Sequence, residues 1–158
     1  MSKSSTEQGT SRPPSPPHNI AAWPAHWARQ RPGALAVGDE SRGLDWGAFE
    51  ARIAALAGRL RVAGVGVGDR VAVLLTNRTA FLEILFGTTR VGAIFLPINL
   101  RLSAREIAFQ LDDSQPDAFF YESELQETVE KTIRHALHSP THLWPVGGEP
   151  DSYEEGLN

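Results

Sequence analysis

Three histidines crowd one short stretch, His135, His138 and His142, and clustered imidazoles are the donors a metal site uses. Ser139-Pro140 separates His138 from His142, so the two share no regular helical face, and no carboxylate stands at zincin spacing. Asp112-Asp113 offers a pair of carboxylates for acid–base work. The pair stands at the end of a helical pattern, just before Ser114-Gln115-Pro116, which suits solvated capping residues. Gly64-x-Gly66-x-Gly68 has the glycine rhythm of a dinucleotide loop. That loop follows a strand and opens a helix, whereas these glycines follow a helix and open a strand; the order predicts a helix C-cap and tight turn. Ser103 heads Ser103-Ala104-Arg105-Glu106, a capping box, and no Gly-x-Ser-x-Gly elbow surrounds it. Thr88-Thr89 falls inside an apolar helix. Cysteine is absent, which excludes disulfides, thiolate catalysis and Cys-based metal centres. No Walker A loop and no Ser/Thr/Gly-rich phosphate loop occurs. These residues yield no catalytic, cofactor-binding or metal-ligating assignment.

The elements that hold these residues follow from periodicity. Asn19 is placed to cap a helix carrying Ile20, Trp23 and Trp27, stopped by Arg31-Pro32-Gly33. Ala34–Val37 fits a strand and Gly38–Gly43 a turn. Trp46, Phe49, Ile53, Leu56, Ala57 and Leu60 recur at helical spacing, with Glu50, Arg52, Arg59 and Arg61 off that stripe. Val71–Leu75 is the unbroken apolar run of a strand buried on both faces. Asn77 is expected to cap a largely buried helix over Phe81–Val91, and Ile94–Ile98 reads as a second buried strand. Ile107 and Leu111 follow the capping box, Asp117–Tyr121 is a third strand, and Glu122–Leu137 is an amphipathic helix stepping through Leu125, Val129, Ile133 and Leu137. Glu127 with Lys131 and Glu130 with Arg134 make i,i+4 pairs on its wet side. Leu143–Val146, carrying Pro145, suits an edge strand, and the last twelve residues are polar and turn-like. Strands alternating with helices give an α/β fold, a doubly wound, mainly parallel sheet with flanking helices.

Composition bounds the function. The 158 residues carry 15 Lys+Arg against 19 Asp+Glu, a net charge of −4, which gives no electrostatic reason to expect nucleic acid as a partner. No run approaches a transmembrane segment and no signal sequence precedes the domain, so a cytoplasmic location is expected. Residues 1–18, rich in Ser and Pro, are expected to form a disordered tail, leaving 19–158 as one domain.

Gly66-Val67-Gly68-Asp69-Arg70-Val71-Ala72-Val73-Leu74-Leu75-Thr76-Asn77, in the middle of the chain, is similar to the segment "GVGKGDRVAVLLPN" of the AMP-forming acyl-CoA synthetases, members of the adenylate-forming superfamily. Phe81–Gly87 and Arg90–Asn99 resemble "EFLEAFFAALRLGAVFVPLN", Arg101–Ile107 resembles "RLSPEEL", and Leu111–Ser114 "LNDSG". Leu44–Phe49 is similar to "LTYAEL", with Asp45 where the family has Thr, and Gly147–Pro150 with Tyr153–Leu157 resembles the stretch before the family's phosphate loop. The resemblance spans roughly Asn19 to Leu157. It implies an N-terminal subdomain of an AMP-binding synthetase, truncated before the phosphate loop and inactive alone, whose partners are the missing downstream subdomains. The complete family enzyme joins a carboxylic acid to CoA using ATP and Mg2+, and no residue here matches the family's phosphate-loop or catalytic-lysine positions. The alternative is a stand-alone flavodoxin-like module binding a small ligand at its strand ends.

Overall fold

The computed structural model describes residues 17–149 and 151–157. The expected tail lies outside the described residues up to position 16. Asn19 accepts a hydrogen bond from the Ala21 N–H and opens a 3-10 turn over Ile20–Ala22, which runs into helix α1, Trp23–Gln30. Pro24 is tolerated because it stands in the first turn, where its missing N–H has no intrahelical partner. Strands β1, Leu35–Gly38, and β2, Gly43–Asp45, form a small antiparallel hairpin. That hairpin is separate from the main sheet; the sequence predicts its first strand and its turn but not β2. Asp45 then caps α2, Trp46–Val62, by accepting the Ala48 N–H at 2.7 Å.

The glycine-rich turn after α2 is a helix stop. Gly64 adopts φ +82°, the Gly64 N–H reaches the Arg61 carbonyl, and the Val65 N–H reaches the Leu60 carbonyl. These two bonds define a Schellman motif, with Val65 and Leu60 together in the core.

The main sheet holds four parallel strands in the order β4-β3-β5-β6: β3 is Arg70–Leu74, β4 Ile94–Pro97, β5 Ala118–Glu122 and β6 His142–Val146. Counted within this sheet, the order is 2-1-3-4, a doubly wound arrangement. Strand parity sorts the core into two layers. Val71, Val73, Ala118, Phe120 and Val146 face α2 and α3, Thr79–Arg90. Ala72, Leu74, Phe119 and Tyr121 face α4, Ala104–Ser114, and α5, Gln126–His135. β3 and β5 are central, so both faces are covered and their runs are continuously apolar.

Expectations for β4, for the helix over 122–137, for one of its ion pairs and for the C-terminal stretch need correction. β4 is an edge strand, not a buried one; it has a strand neighbour on one side only, and Ile94 is 51% exposed. The helix expected over 122–137 divides into a 3-10 turn, Ser123–Leu125, and α5, so Leu137 lies beyond the last turn and is 95% exposed. Glu127 pairs with Lys131 at 2.6 Å, but Glu130 accepts from the Gln126 amide at 3.0 Å. The polar C-terminal stretch contains a short helix, α6, Ser152–Glu155, capped by Asp151, and its Tyr153 is fully buried. The capping box at Ser103 and the edge position of β6 are as expected.

Candidate functional site

In a doubly wound sheet, ligands sit beyond the carboxyl ends of the strands where the strand order reverses. Here that point falls between β3 and β5. An open cleft of about 720 Å³ occupies it, lined by the β1–β2 turn (Asp39, Glu40, Ser41), Thr76–Arg78 after β3, Leu100 after β4, and Glu122 with Glu124 at the end of β5.

The cleft's polar groups hold one another. Glu122, 6% exposed, accepts from the Thr76 N–H at 2.8 Å, the Thr76 hydroxyl at 2.6 Å and the Arg78 guanidinium at 2.8 Å. Burial disfavours the Arg78 cation, but the Glu122 carboxylate outweighs that and holds its pKa above the usual arginine value. Asp39 accepts the Ser41 hydroxyl at 2.6 Å, the Ser41 and Arg42 N–H groups, and the Thr79 N–H at 2.7 Å. Asn77 is therefore not the cap of α3. Asp39 does that work from the hairpin turn, forty residues upstream.

The Ser41 hydroxyl, then the Thr79 and other backbone amides, hold the Asp39 carboxyl well below the usual range. A carboxyl depressed in the folded state stabilises above its unfolded pKa and loses that contribution as pH falls below it. Asp39→Ala is expected to cost about 1 kcal/mol at pH 7, since solvent screens this rim position. The difference from wild type should shrink steadily below about pH 4. Urea midpoints at pH 7 and pH 3 measure it, and an unchanged difference at pH 3 would contradict the assignment.

Among the described residues, four carboxylates, Asp39, Glu40, Glu122 and Glu124, line the cleft against one guanidinium, Arg78, which already pairs with Glu122. That charge balance opposes a triphosphate, so the residues present do not fit ATP. Among the described residues no group of His, Asp or Glu side chains gathers to hold a metal ion. The histidines go separate ways. His138 Nε2 lies 2.9 Å from the Pro116 carbonyl, while His142 Nε2 lies 2.9 Å from the Ala63 carbonyl and stacks its ring on Trp144. Asp112 is not a helix cap: it accepts the Leu137 and His138 N–H groups at 2.7 and 2.8 Å, tying the turn after α5 to α4. Thr89 donates back to the Leu85 carbonyl at 3.0 Å.

Behind the cleft lies a charge cluster that periodicity did not bring together. Glu83 on α3, fully buried, accepts from Arg52 of α2 at 2.6 and 3.1 Å, from Arg42 at 3.4 Å and from the Tyr153 hydroxyl at 2.7 Å. Glu154 accepts from Arg52 at 2.7 Å and Arg42 at 3.0 Å. Arg52 stays charged, because the bonds to Glu83 and Glu154 outweigh the burial that disfavours the cation. Burial first, then the neighbouring Glu83 charge, pushes the Tyr153 phenol well above its ordinary pKa. The hairpin turn, α2, α3 and α6 thus meet at one carboxylate. Arg59 adds a contact to α6, its guanidinium 4.7 Å above the Trp144 ring and 3.1 Å from the Ser152 carbonyl.

The fold is similar to that of solved fatty-acid–CoA ligases. A putative long-chain-fatty-acid CoA ligase from Rhodopseudomonas palustris superposes with a TM-score of 0.79 at 27% identity, over 89% of this chain and 36% of that one. The N-terminal domain of FACL13 from Mycobacterium tuberculosis gives 0.78 at 28% identity, over 88% of this chain and 36% of the domain. The family model for the AMP-binding enzyme matches residues 24–155, and the chain belongs to that family. In sequence it is 41% identical over 110 residues to feruloyl-CoA synthase from Amycolatopsis sp, covering 70% of this chain and 22% of that protein. It is 39% identical over 106 residues to a long-chain-fatty-acid–CoA ligase from Thermus thermophilus, covering 65% and 19%. The chain thus spans about a fifth of the length of these curated relatives. Among the described residues no helix is long and apolar enough to cross a membrane.

Proposed function

We propose that this chain supplies the first α/β unit, residues 19–158, of a cytoplasmic AMP-forming carboxylate–CoA ligase and does not itself adenylate an acid. Its role is that of a scaffold: a parallel sheet, pinned at its carboxyl end by Glu122 and Asp39, against which the catalytic parts of the enzyme pack. The observation that supports this reading most is the family match over residues 24–155 combined with a strand-end cleft in which Glu122 pairs with Arg78 and Asp39 caps α3. In the assembled enzyme the reaction is carboxylic acid, ATP with Mg2+, and CoA to acyl-CoA, AMP and pyrophosphate. The matched relatives are named for feruloyl-CoA and for long-chain fatty acids.

The position of the cleft at the sheet's reversal point favours one second reading, a stand-alone binding module. A scaffold unit exposes apolar surface that the rest of its enzyme covers. The isolated chain should therefore bind the dye ANS, and the separately produced remainder of a related synthetase should reduce that fluorescence. A dye-silent, monodisperse monomer would favour the stand-alone module.

A further inference from the structure

The rim of the cleft formed by Asp39, Glu40 and Ser41 belongs to the β1–β2 hairpin, whose strands pair with each other and with no strand of the main sheet. A two-stranded hairpin is marginal by itself, so its tip takes its place from contacts outside it. Among the described residues, the hydrogen bonds from the tip to the rest of the chain run through two side chains. Asp39 accepts the Thr79 N–H at 2.7 Å. The Arg42 guanidinium donates to the Thr79 hydroxyl at 2.9 Å, to Glu154 at 3.0 Å and to Glu83 at 3.4 Å. The two anchors are joined, since the Arg42 N–H also donates to the Asp39 carboxylate at 3.1 Å.

Glu154 stands on α6, 112 positions beyond Arg42. A four-residue helix has too few internal bonds to hold itself, yet α6 is fixed to the body without Arg42. Tyr153 is buried and donates to Glu83, and the Arg59 guanidinium donates to the Ser152 carbonyl. From α2, Arg52 holds the same Glu154 oxygen at 2.7 Å. The carboxylate is therefore presented to Arg42 from a fixed post. Of these two guanidiniums, Arg42 alone is part of the hairpin.

We propose that α6 positions the rim of the cleft through Arg42: Glu154 holds the Arg42 guanidinium, and Arg42 holds the turn that carries Asp39, Glu40 and Ser41. Arg42 is thus a positioning residue, and the C-terminal helix and the cleft are coupled. Coupling of this kind is reciprocal. Undocking of α6 loosens the rim and the Asp39 cap of α3, and a molecule that orders the rim favours docked α6. The coupling holds for a scaffold unit and for a stand-alone module alike.

Amide exchange on the full chain tests it. Glu154→Ala and Arg42→Ala should each speed exchange of the Ser41 and Thr79 amides, both donors to Asp39, at least about tenfold. Val73 and Phe120, in the central strands, should keep their rates. The double variant should exchange no faster at Ser41 and Thr79 than Arg42→Ala alone, because Glu154 acts on the rim through Arg42. Arg42→Ala lies outside α6 and keeps the test sound should Glu154→Ala disturb that helix. Unchanged rates at Ser41 and Thr79 in Glu154→Ala, equal acceleration at Val73 and Phe120, or effects that multiply in the double variant would each overturn the coupling.

Discussion

Replacing Glu83 by alanine is expected to destabilise the domain by about 3–5 kcal/mol, a large share of what holds a small domain folded. The carboxylate is fully buried and is the common acceptor for Arg52, Arg42 and Tyr153. Removing it leaves the Arg52 guanidinium, with 17% side-chain exposure, short of its principal counter-charge inside the protein. Desolvating an unpaired charge is the costly half of a buried ion pair. The same reasoning predicts that Glu83→Leu combined with Arg52→Met costs much less than the sum of the two single changes, since no charge is then stranded between α2 and α3. Urea unfolding of the two single variants and the double variant measures this. Additive losses would mean that Glu83 and Arg52 do not act as a unit.

The second large effect is expected at Tyr153. Its ring is fully buried, edge-on to Phe120 at 6.1 Å, and its hydroxyl donates to Glu83 at 2.7 Å. Tyr153→Ala should lose about 3–5 kcal/mol through the cavity it opens. Tyr153→Phe keeps the ring and should lose about 1.5–3 kcal/mol, the range for a hydrogen bond to a charged partner. Alkaline titration adds a signed check. The folded phenol titrates well above the unfolded one, so the unfolded state releases its proton first, and wild-type stability should fall as pH rises past about 10. Tyr153→Phe should lack that share of the alkaline loss. Equal stability of Tyr153→Ala and wild type would show that α6 adds nothing to the core.

The expectations that came through from the sequence were those governed by neighbours along the chain. Val71–Leu75 announces a buried strand by being apolar without interruption, Asp117–Tyr121 reads as a third strand, and both occupy the centre of the sheet. Ser103 with Glu106 announces a capping box because both halves of that motif lie within one turn. What periodicity could not show were contacts made between distant segments. Ile94–Pro97 carries the same apolar signature as a central strand, and only the order of strands in the sheet reveals it as an edge. Asp39 caps a helix forty residues away, and nothing near Thr79 signals it. Arg52 lies off the apolar stripe of α2, and periodicity gives it no partner, although its guanidinium meets Glu83 of α3. A glutamate at position 83, inside an otherwise apolar helix, was the available signal, since a buried charge needs a partner. Tyr153, in a polar stretch too short to show a period, was the residue least visible.

The central claim, that this chain is a scaffold unit of an acyl-CoA ligase and holds none of its adenylating groups, is tested most directly by pyrophosphate exchange. Purified chain is incubated with ATP, Mg2+, labelled pyrophosphate and, in turn, an aromatic acid such as ferulate and a panel of fatty acids. Label in ATP is expected to be no higher than in the absence of acid for each of them. Acid-dependent exchange that co-purifies with the chain and disappears with Glu83→Ala would contradict it.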